Sequence, residues 1–374
     1  MEFSNFIYRR RFLKNIVLIL FNSFFFTVRK YKKLFSNNSE NILIIALHKL
    51  GDSVFTVPAV NEILKFHNNK ISLVCFQGTE DIFKISFKNL DLVPLNHNEF
   101  YFTNRIASRR ARKIIRKCDP GIIYDLTGTV TSAMLIFNSR AKKIIGINKD
   151  IFKNIYTTYF PVRKKPHITD IYLDVVRSKI PLTNDKFELI NEKLINDGHI
   201  LIHPFAGWKA KEWSLKNYIE LAEFINENYN CMFVIPQKLL PNGIFEELSY
   251  KNLQYTETKT TTELIDVIKN SSAFIGNDSG PMHIANLLGK PTFTVYGPSN
   301  PDFHKPLTGI NSYIVKKLRC SPKANEKLCF TNGGRRGCPS YECMNTLSLQ
   351  EVQVKVMDFL GHLGLNKKQS ANLK

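Results

Sequence analysis

From residue 41 onward the chain alternates two hydrophobic rhythms. Short runs that are apolar throughout read as strands buried on both faces, and between them apolar residues spaced three and four apart read as helices. The strand runs are Asn41–Leu47 (NILIIAL), Ile71–Phe76, Ile122–Tyr124 leading into Asp125, and Lys143–Gly146. A second series follows at His199–His203, Cys231–Ile235, Ala273–Gly276 and Pro291–Tyr296. Helical spacing covers the stretch ending at Leu64, then Thr169–Lys179 with Ile171, Val175 and Val176 on one face. It continues in Leu215–Ile225, capped by Ser214, with Leu215, Ile219, Ala222 and Phe224 inward. It returns in a helix capped by Thr262 and ending at Lys269, in Met282–Leu288, and in Ser348–Leu360. Strands alternating with helices predict the α/β class with doubly wound parallel sheets. Pro181, Asn184, Asp185, Asn196, Asp197 and Gly198 punctuate the chain between the two series. One sheet on each side predicts two domains, 41–185 and 186–374, facing a cleft. The length of 374 residues agrees, since single cores stop growing near about 250–300 residues.

Residues 1–40 break this rhythm. A basic stretch, Arg9 to Lys14, precedes the apolar run Ile16–Val28, which closes on Arg29, Lys30, Tyr31, Lys32 and Lys33. The 13 residues of that run fall short of the roughly 20 needed to cross a bilayer. No small-residue cleavage site follows, as a signal peptide would require. A Phe-rich helix with cationic flanks suits a membrane interface facing anionic lipid, so residues 9–33 are expected to associate with a membrane surface. The alternative is an extra helix covering apolar surface of the first domain.

Composition excludes little beyond disorder and collagen: 44% hydrophobic and 22% charged residues are ordinary globular values. Charge changes the picture more. The net +20 is concentrated in four segments, 1–35, 105–117, 163–165 and 316–336, which carry +7, +7, +3 and +6 while the remainder nets about −3. Local cationic patches on a near-neutral body meet phosphate, nucleic acid or an acidic membrane. Part of the Lys excess, beside abundant Ile and Asn, also reflects a general compositional bias. Cys75, Cys118 and Cys231 lie in or near apolar runs and read as small buried hydrophobes. Cys320, Cys329, Cys338 and Cys343 cluster without the tight Cys-x2-Cys pairs of a zinc site, so free thiols and no metal are expected.

In doubly wound sheets ligands bind beyond the carboxyl ends of the strands, and three segments leave strands there with unusual content. Leu50-Gly51-Asp52-Ser53 follows the first strand; Asp52 is either an ordinary helix N-cap or a carboxylate able to accept a proton. His203 to Trp213 (HPFAGWKAKEW) holds the chain's only two tryptophans and a lysine-bearing loop, either solvated or able to neutralise a diphosphate. Gly276 to His283 (GNDSGPMH) leads from a strand into a helix. Pro281 suits the first helical position, and Gly280 lets the backbone approach closely. The free N–H groups with the helix dipole make an anion site toward which His283 points.

LHKLGDSVFTVPAV (47–60), HPFAGWKAKEW (203–213) and IGNDSGPMHIANLLGKPTFTVYGPSNP (275–301) resemble the signature segments of the bacterial heptosyltransferases, glycosyltransferase family 9. YDLTG (124–128) with Ser139–Gly146, and Cys338 with Cys343-Met344, are also similar to that family, and the resemblance runs from about 41 to 362. It implies two Rossmann-like domains of the glycosyltransferase B type, acceptor on the first and donor on the second. It implies a metal-independent, inverting transfer of heptose from ADP-heptose to the lipopolysaccharide inner core, with no cofactor beyond that nucleotide-sugar donor. Carried over by position, Asp52 matches the general base, and Lys211 the basic residue at the donor phosphates. Asp278, Ser279, Gly280 and His283 match the donor-binding turn. The family often places a Gly-rich stretch with an acidic residue after the strand at Cys231–Ile235, where this chain has Pro236 to Pro241 without a carboxylate.

On this reading Arg109, Arg110, Arg112 and Lys113, with Arg163 and Lys164, are candidate contacts to acceptor phosphates or Kdo carboxylates; the alternative is a solvated helix face. The expected partners are a nucleotide sugar, an anionic lipid-linked saccharide and the membrane, placing the enzyme at the inner face of the cytoplasmic membrane. Another nucleotide sugar and another surface glycan form the alternative. The charge also permits nucleic acid, but no recognisable binding module occurs, so none is expected.

Overall fold

The computed structural model describes residues 11–36, 38–101, 106–148, 150–161, 167–177, 195–239, 241–306, 309–329, 338 and 340–368. The chain divides into two compact units. The first comprises Met1–Lys49, Phe55–Arg163 and Ile168–Asp185, and the second Leu50–Val54, Lys164–His167 and Lys186–Lys374. Residues 181–194 of the expected linker lie outside the described residues.

The first 24-residue helix, α1 (Arg11–Leu34), is followed by β1 (Ile42–Ala46), α2 (Leu50–Phe66), β2 (Ile71–Phe76), α3 (Glu80–Ser86) and β3 (Asp91–Leu95). A small antiparallel pair, β4 (Phe100–Tyr101) and β5 (Ile106–Ala107), precedes α4 (Arg109–Lys117), β6 (Ile122–Asp125) and α5 (Val130–Ile136). Then come β7 (Lys143–Asn148), β8 (Thr158–Pro161) and α6 (Ile168–Arg177). The sheet order is β3-β2-β1-β6-β7-β8, every pair parallel.

The second series is β9 (His199–His203), α7 (Leu215–Asn226), β10 (Cys231–Pro236), α8 (Ile244–Tyr250), β11 (Gln254–Thr258) and α9 (Thr261–Lys269). It continues through β12 (Ser271–Asn277), α10 (Gly280–Leu287), β13 (Thr292–Tyr296), α11 (Pro301–His304) and β14 (Asn311–Val315). It ends with α12 (Glu342–Asn345) and α13 (Leu349–Gly361). Its order, β11-β10-β9-β12-β13-β14, is again wholly parallel. Two doubly wound α/β sheets are thus present, as expected.

Besides the short pair β4 and β5, the strands missed by hydrophobic reading are β3, β8, β11 and β14, the two edges of each six-stranded sheet. Their burial is broken, whereas β1, β2, β12 and β13 are buried at every position. Two helix details also differ. Thr260, not Thr262, caps α9 by accepting from Glu263 N–H, because its extended backbone puts Oγ1 over the first turn. On α7 the buried set is Tyr218, Ile219, Leu221, Ala222 and Ile225, with Leu215 and Phe224 only half-buried. Ser214 caps that helix as expected, accepting from Asn217 N–H at 3.1 Å.

One face of α1 packs on the first unit. Phe25 is buried, its ring 6.0 Å from Phe137 and 5.7 Å from Phe152. One turn later Arg29 donates to the carbonyls of Ser139 and Ala141 at 3.1 and 2.6 Å. The opposite face leaves Ile19, Leu20, Phe24, Phe26, Tyr31 and Leu34 more than half exposed. Among the described residues no helix is long and apolar enough to cross a membrane.

The first sheet changes winding direction between β1 and β6, and the loops leaving these strands are tied together. Thr127 Oγ1 accepts from Leu47 N–H at 2.8 Å, and the Asp125 carboxyl accepts from Thr127 N–H at 3.0 Å and Tyr156 O–H at 2.6 Å. Gly128 has φ +63°, and a Cβ there would meet Ile147 at 2.7 Å. Burial pushes the Asp125 carboxyl up from 3.8 to about 6, against the opposing pull of the Tyr156, Ser132 and backbone hydrogen bonds. A folded-state value above the unfolded one means that the native state holds the proton longer. The associated stability is therefore complete below about pH 4 and is lost as pH rises through about 6. Asp125→Asn removes this dependence. Relative to wild type, the variant should gain roughly 2–3 kcal/mol between pH 4 and pH 7, read as a pH-dependent difference in urea midpoints.

Candidate active site

In the second unit the winding direction changes between β9 and β12, and the loops from their carboxyl ends converge there. Asn277, the last residue of β12, is fully buried and makes the junction. Its Oδ1 accepts from Trp213 N–H at 3.1 Å and Tyr218 O–H at 2.9 Å, while Nδ2 donates to the Pro204 carbonyl at 2.7 Å. Trp213 is buried, and its indole N–H donates to the Leu347 carbonyl at 2.9 Å. Asn277 lay within the recognised motif, but nothing in the sequence assigned it this joining role.

With the loop held, Lys211 reaches Asp278. The Nζ–Oδ2 distance is 2.5 Å, with the Asp278 side chain 3% exposed and that of Lys211 21%. His283, in the first turn of α10, places Nε2 3.3 Å from Asp278 Oδ1. Burial alone would raise the Asp278 carboxyl. The charge of Lys211, the hydrogen bond from His283 and the charges of His283 and His304 overcome it and hold the group well below the usual carboxylate range. Burial lowers the His304 imidazole to about 4 despite Asp278; sequence reading had not singled out His304. Lys209, the loop's other lysine, is mostly exposed and pairs with Glu212 at 2.7 Å.

Ser279 is the N-cap residue of α10, yet its side chain makes no cap bond and its buried Oγ has no hydrogen-bond partner among the described residues. Gly280 and Pro281 form the start of the helix. The predicted residues Lys211, Asp278, Ser279, Gly280 and His283 are thus brought to one end of one sheet. There a buried, ionised carboxylate holds a lysine and an imidazole beside the positive end of a helix. Such an arrangement has the chemistry to bind a phosphate or diphosphate and to stabilise charge developing on it.

Asp52 lies in the first turn of α2, beyond the carboxyl end of β1, and is half-buried. It is not the N-cap; Lys49 occupies that position, without a side-chain cap bond. Arg109, Arg110, Arg112 and Lys113 all lie on α4, but in different surroundings. Arg110 Nε is 3.1 Å from a Glu99 carboxylate oxygen, Arg109 and Lys113 are exposed, and Arg112 lines a cavity that also contains Lys32. Arg163 and Lys164 lie outside the described residues. Among the described residues no group of three or more His, Cys, Asp or Glu could hold a metal ion.

The model of glycosyltransferase family 9 (heptosyltransferase) matches residues 108–332. Lipopolysaccharide heptosyltransferase 1 of Campylobacter coli is 24% identical over 363 residues, covering 86% of this chain and 99% of that protein. Lipooligosaccharide heptosyltransferase 2 of Haemophilus influenzae is 33% identical over 106 residues, a match to 26% of this chain that spans only 31% of the relative. Among solved structures, the Escherichia coli ADP-heptose lipopolysaccharide heptosyltransferase II superposes with a TM-score of 0.65 at 17% identity. The alignment covers 86% of this chain and 99% of that one.

Breaking a buried ion pair from one side leaves an uncompensated charge, whereas removing both sides does not. Lys211→Met should therefore cost about 3–5 kcal/mol, and adding Asp278→Asn should recover more than about 1 kcal/mol of that loss. Denaturant unfolding of the four proteins in this double-mutant cycle measures both quantities.

Proposed function

We propose, from the premise that the chain belongs to glycosyltransferase family 9 (heptosyltransferase), that it transfers a heptose from ADP-heptose to the inner core of lipopolysaccharide. The transfer inverts the anomeric centre and needs no metal. The observation that carries the reading is the Lys211–Asp278–His283 cluster beside the start of α10.

In the proposed reaction the donor diphosphate lies against Lys211 and the free N–H groups at the start of α10, with Ser279 Oγ as an additional donor. An acceptor hydroxyl attacks the anomeric carbon from the face opposite the diphosphate. The new glycosidic bond forms as the bond from that carbon to the β-phosphate oxygen breaks, and ADP departs with the bonding pair. Asp52 takes the hydroxyl proton. Charge grows on the leaving group, so donors fixed before reaction favour the transition state over the ground state. The lysine does this work without a metal because Asp278 holds it in place.

Arg109, Arg110 and Lys113, with Arg163 and Lys164, serve as contacts to acceptor phosphates or Kdo carboxylates; Arg110 reaches them by exchanging Glu99. The apolar outward face of α1 rests on the membrane that carries the lipid-linked acceptor, at the inner face of the cytoplasmic membrane. A second reading, transfer of another nucleotide sugar to a different surface glycan, rests on the turn Gln237–Leu239 after β10, which carries no carboxylate.

With ADP-heptose and Kdo-lipid A, mass detection should show one heptose added by wild type. Asp52→Asn should lower kcat by about 10²–10⁴-fold, the usual contribution of general-base catalysis, with donor KM changed less than about threefold. Wild-type kcat in the variant would remove the base assignment. Turnover with a UDP- or GDP-sugar, and none with ADP-heptose, would select the second reading.

A further inference from the structure

We propose that the first unit carries a separate anion site for the phosphate of an acidic phospholipid headgroup, on the edge of its sheet opposite the loops of β1 and β6. A cavity of about 220 Å³ is lined by Lys32 from α1, Arg112 and Arg116 from α4, and Arg140 from the loop before β7, together with Asp119 and Ser139. Asp119 lies just before β6 and Arg140 just before β7. The cavity is therefore at the amino edge of the sheet, whereas Thr127 and Gly128 lie at the carboxyl edge.

Four cationic side chains against one carboxylate leave a local excess of positive charge. Lys32 and Arg112 are half-buried, Arg116 and Arg140 exposed. Carbonyls at the ends of α4 and α5 favour a nearby cation, which accounts for Arg116 but not for convergence from α1, α4 and the loop before β7. The cavity is smaller than the roughly 300–1,000 Å³ of sites for drug-sized ligands. Its size and charge suit a phosphate group rather than a whole nucleotide.

The occupant is indicated by α1, which contributes to this cavity and also presents an apolar outward face. Lys32 falls on the inward side with Asn22, Phe25 and Arg29, while Ile19, Leu20, Phe24 and Phe26 remain exposed. A helix lying in the membrane interface sinks its apolar face to the headgroup–acyl boundary, which brings lipid phosphates to the level of its basic side chains. One helix thus lends Lys32 to the cavity on its inward side and an apolar face for acyl chains on its outward side. This assignment rests on the membrane reading of α1 given above and deepens it.

The test uses full-length protein and sedimentation with vesicles of phosphatidylcholine alone or mixed with phosphatidylglycerol. Arg116→Gln/Arg140→Gln empties the cavity of two cations; Lys65→Gln/Lys88→Gln removes equal charge elsewhere on the first unit; Leu20→Ser/Phe24→Ser alters the apolar face. The cavity variant should lose about tenfold or more in affinity for phosphatidylglycerol vesicles, and the charge control less than about threefold. A cavity variant no weaker than the control overturns the headgroup site. If the apolar-face variant alone then loses binding, the membrane reading survives. Failure of wild type to bind either vesicle overturns both. Inorganic phosphate that raises the Tm of wild type but not of the cavity variant, without releasing protein from vesicles, would assign the cavity to free phosphate and overturn the lipid.

Discussion

The Asp278 carboxylate is buried and ionised, and it constrains the geometry of the candidate active site. An unpaired charge in that position would cost several kcal/mol, so a cation and a hydrogen-bond donor must converge on it. Lys211 does so from the loop after β9 and His283 from the first turn of α10. Asn277 makes that convergence possible by binding both ends of the β9 loop before its side chain could wander. Loop, ion pair and helix start therefore form one cooperative unit. A lysine already neutralised by an internal carboxylate is also a held lysine, positioned before any phosphate arrives, so binding loses little side-chain entropy.

The two sheets have the same winding order, and beside each central crossover lies a buried aspartate: Asp125 closes β6, and Asp278 follows the last residue of β12. The two carboxyls are used differently. Asp125 is buried among hydroxyl and backbone donors with no cation, and burial lifts it to about 6. Asp278 faces a lysine and a histidine and is driven the opposite way. Asp125 thereby serves to fasten the turn that leads from β6 into α5, while Asp278 holds Lys211 beside the start of α10. The same residue type is buried near both crossovers, and the neighbours decide what it does.

The surplus of positive charge divides in a similar manner. Helix α4 carries Arg110 paired with Glu99, Arg109 and Lys113 open to solvent, and Arg112 and Arg116 turned into the cavity shared with α1. Counted along the chain it was one patch; folded, it is two.

Hydrophobic patterning by itself determined the α/β class and the central strands of both sheets, while Lys211, Asp278, Ser279, Gly280 and His283 were singled out by the residue content of the loops after those strands and by the resemblance to glycosyltransferase family 9. Strands buried on both faces must be apolar throughout, and glycine, proline and small polar residues are required where a strand turns tightly into a helix. The edge strands β3, β8, β11 and β14 escaped that reading because one flank of each meets solvent, and mixed burial leaves no uninterrupted run. Only the tertiary structure decided that Asn277 joins the site's loops, that His304 senses the Asp278 charge, and that α1 covers the first unit with one face while leaving another apolar. Each depends on partners tens of residues away, and hydrogen bonds and electrostatic fields act through space, leaving no periodicity along the chain to be read.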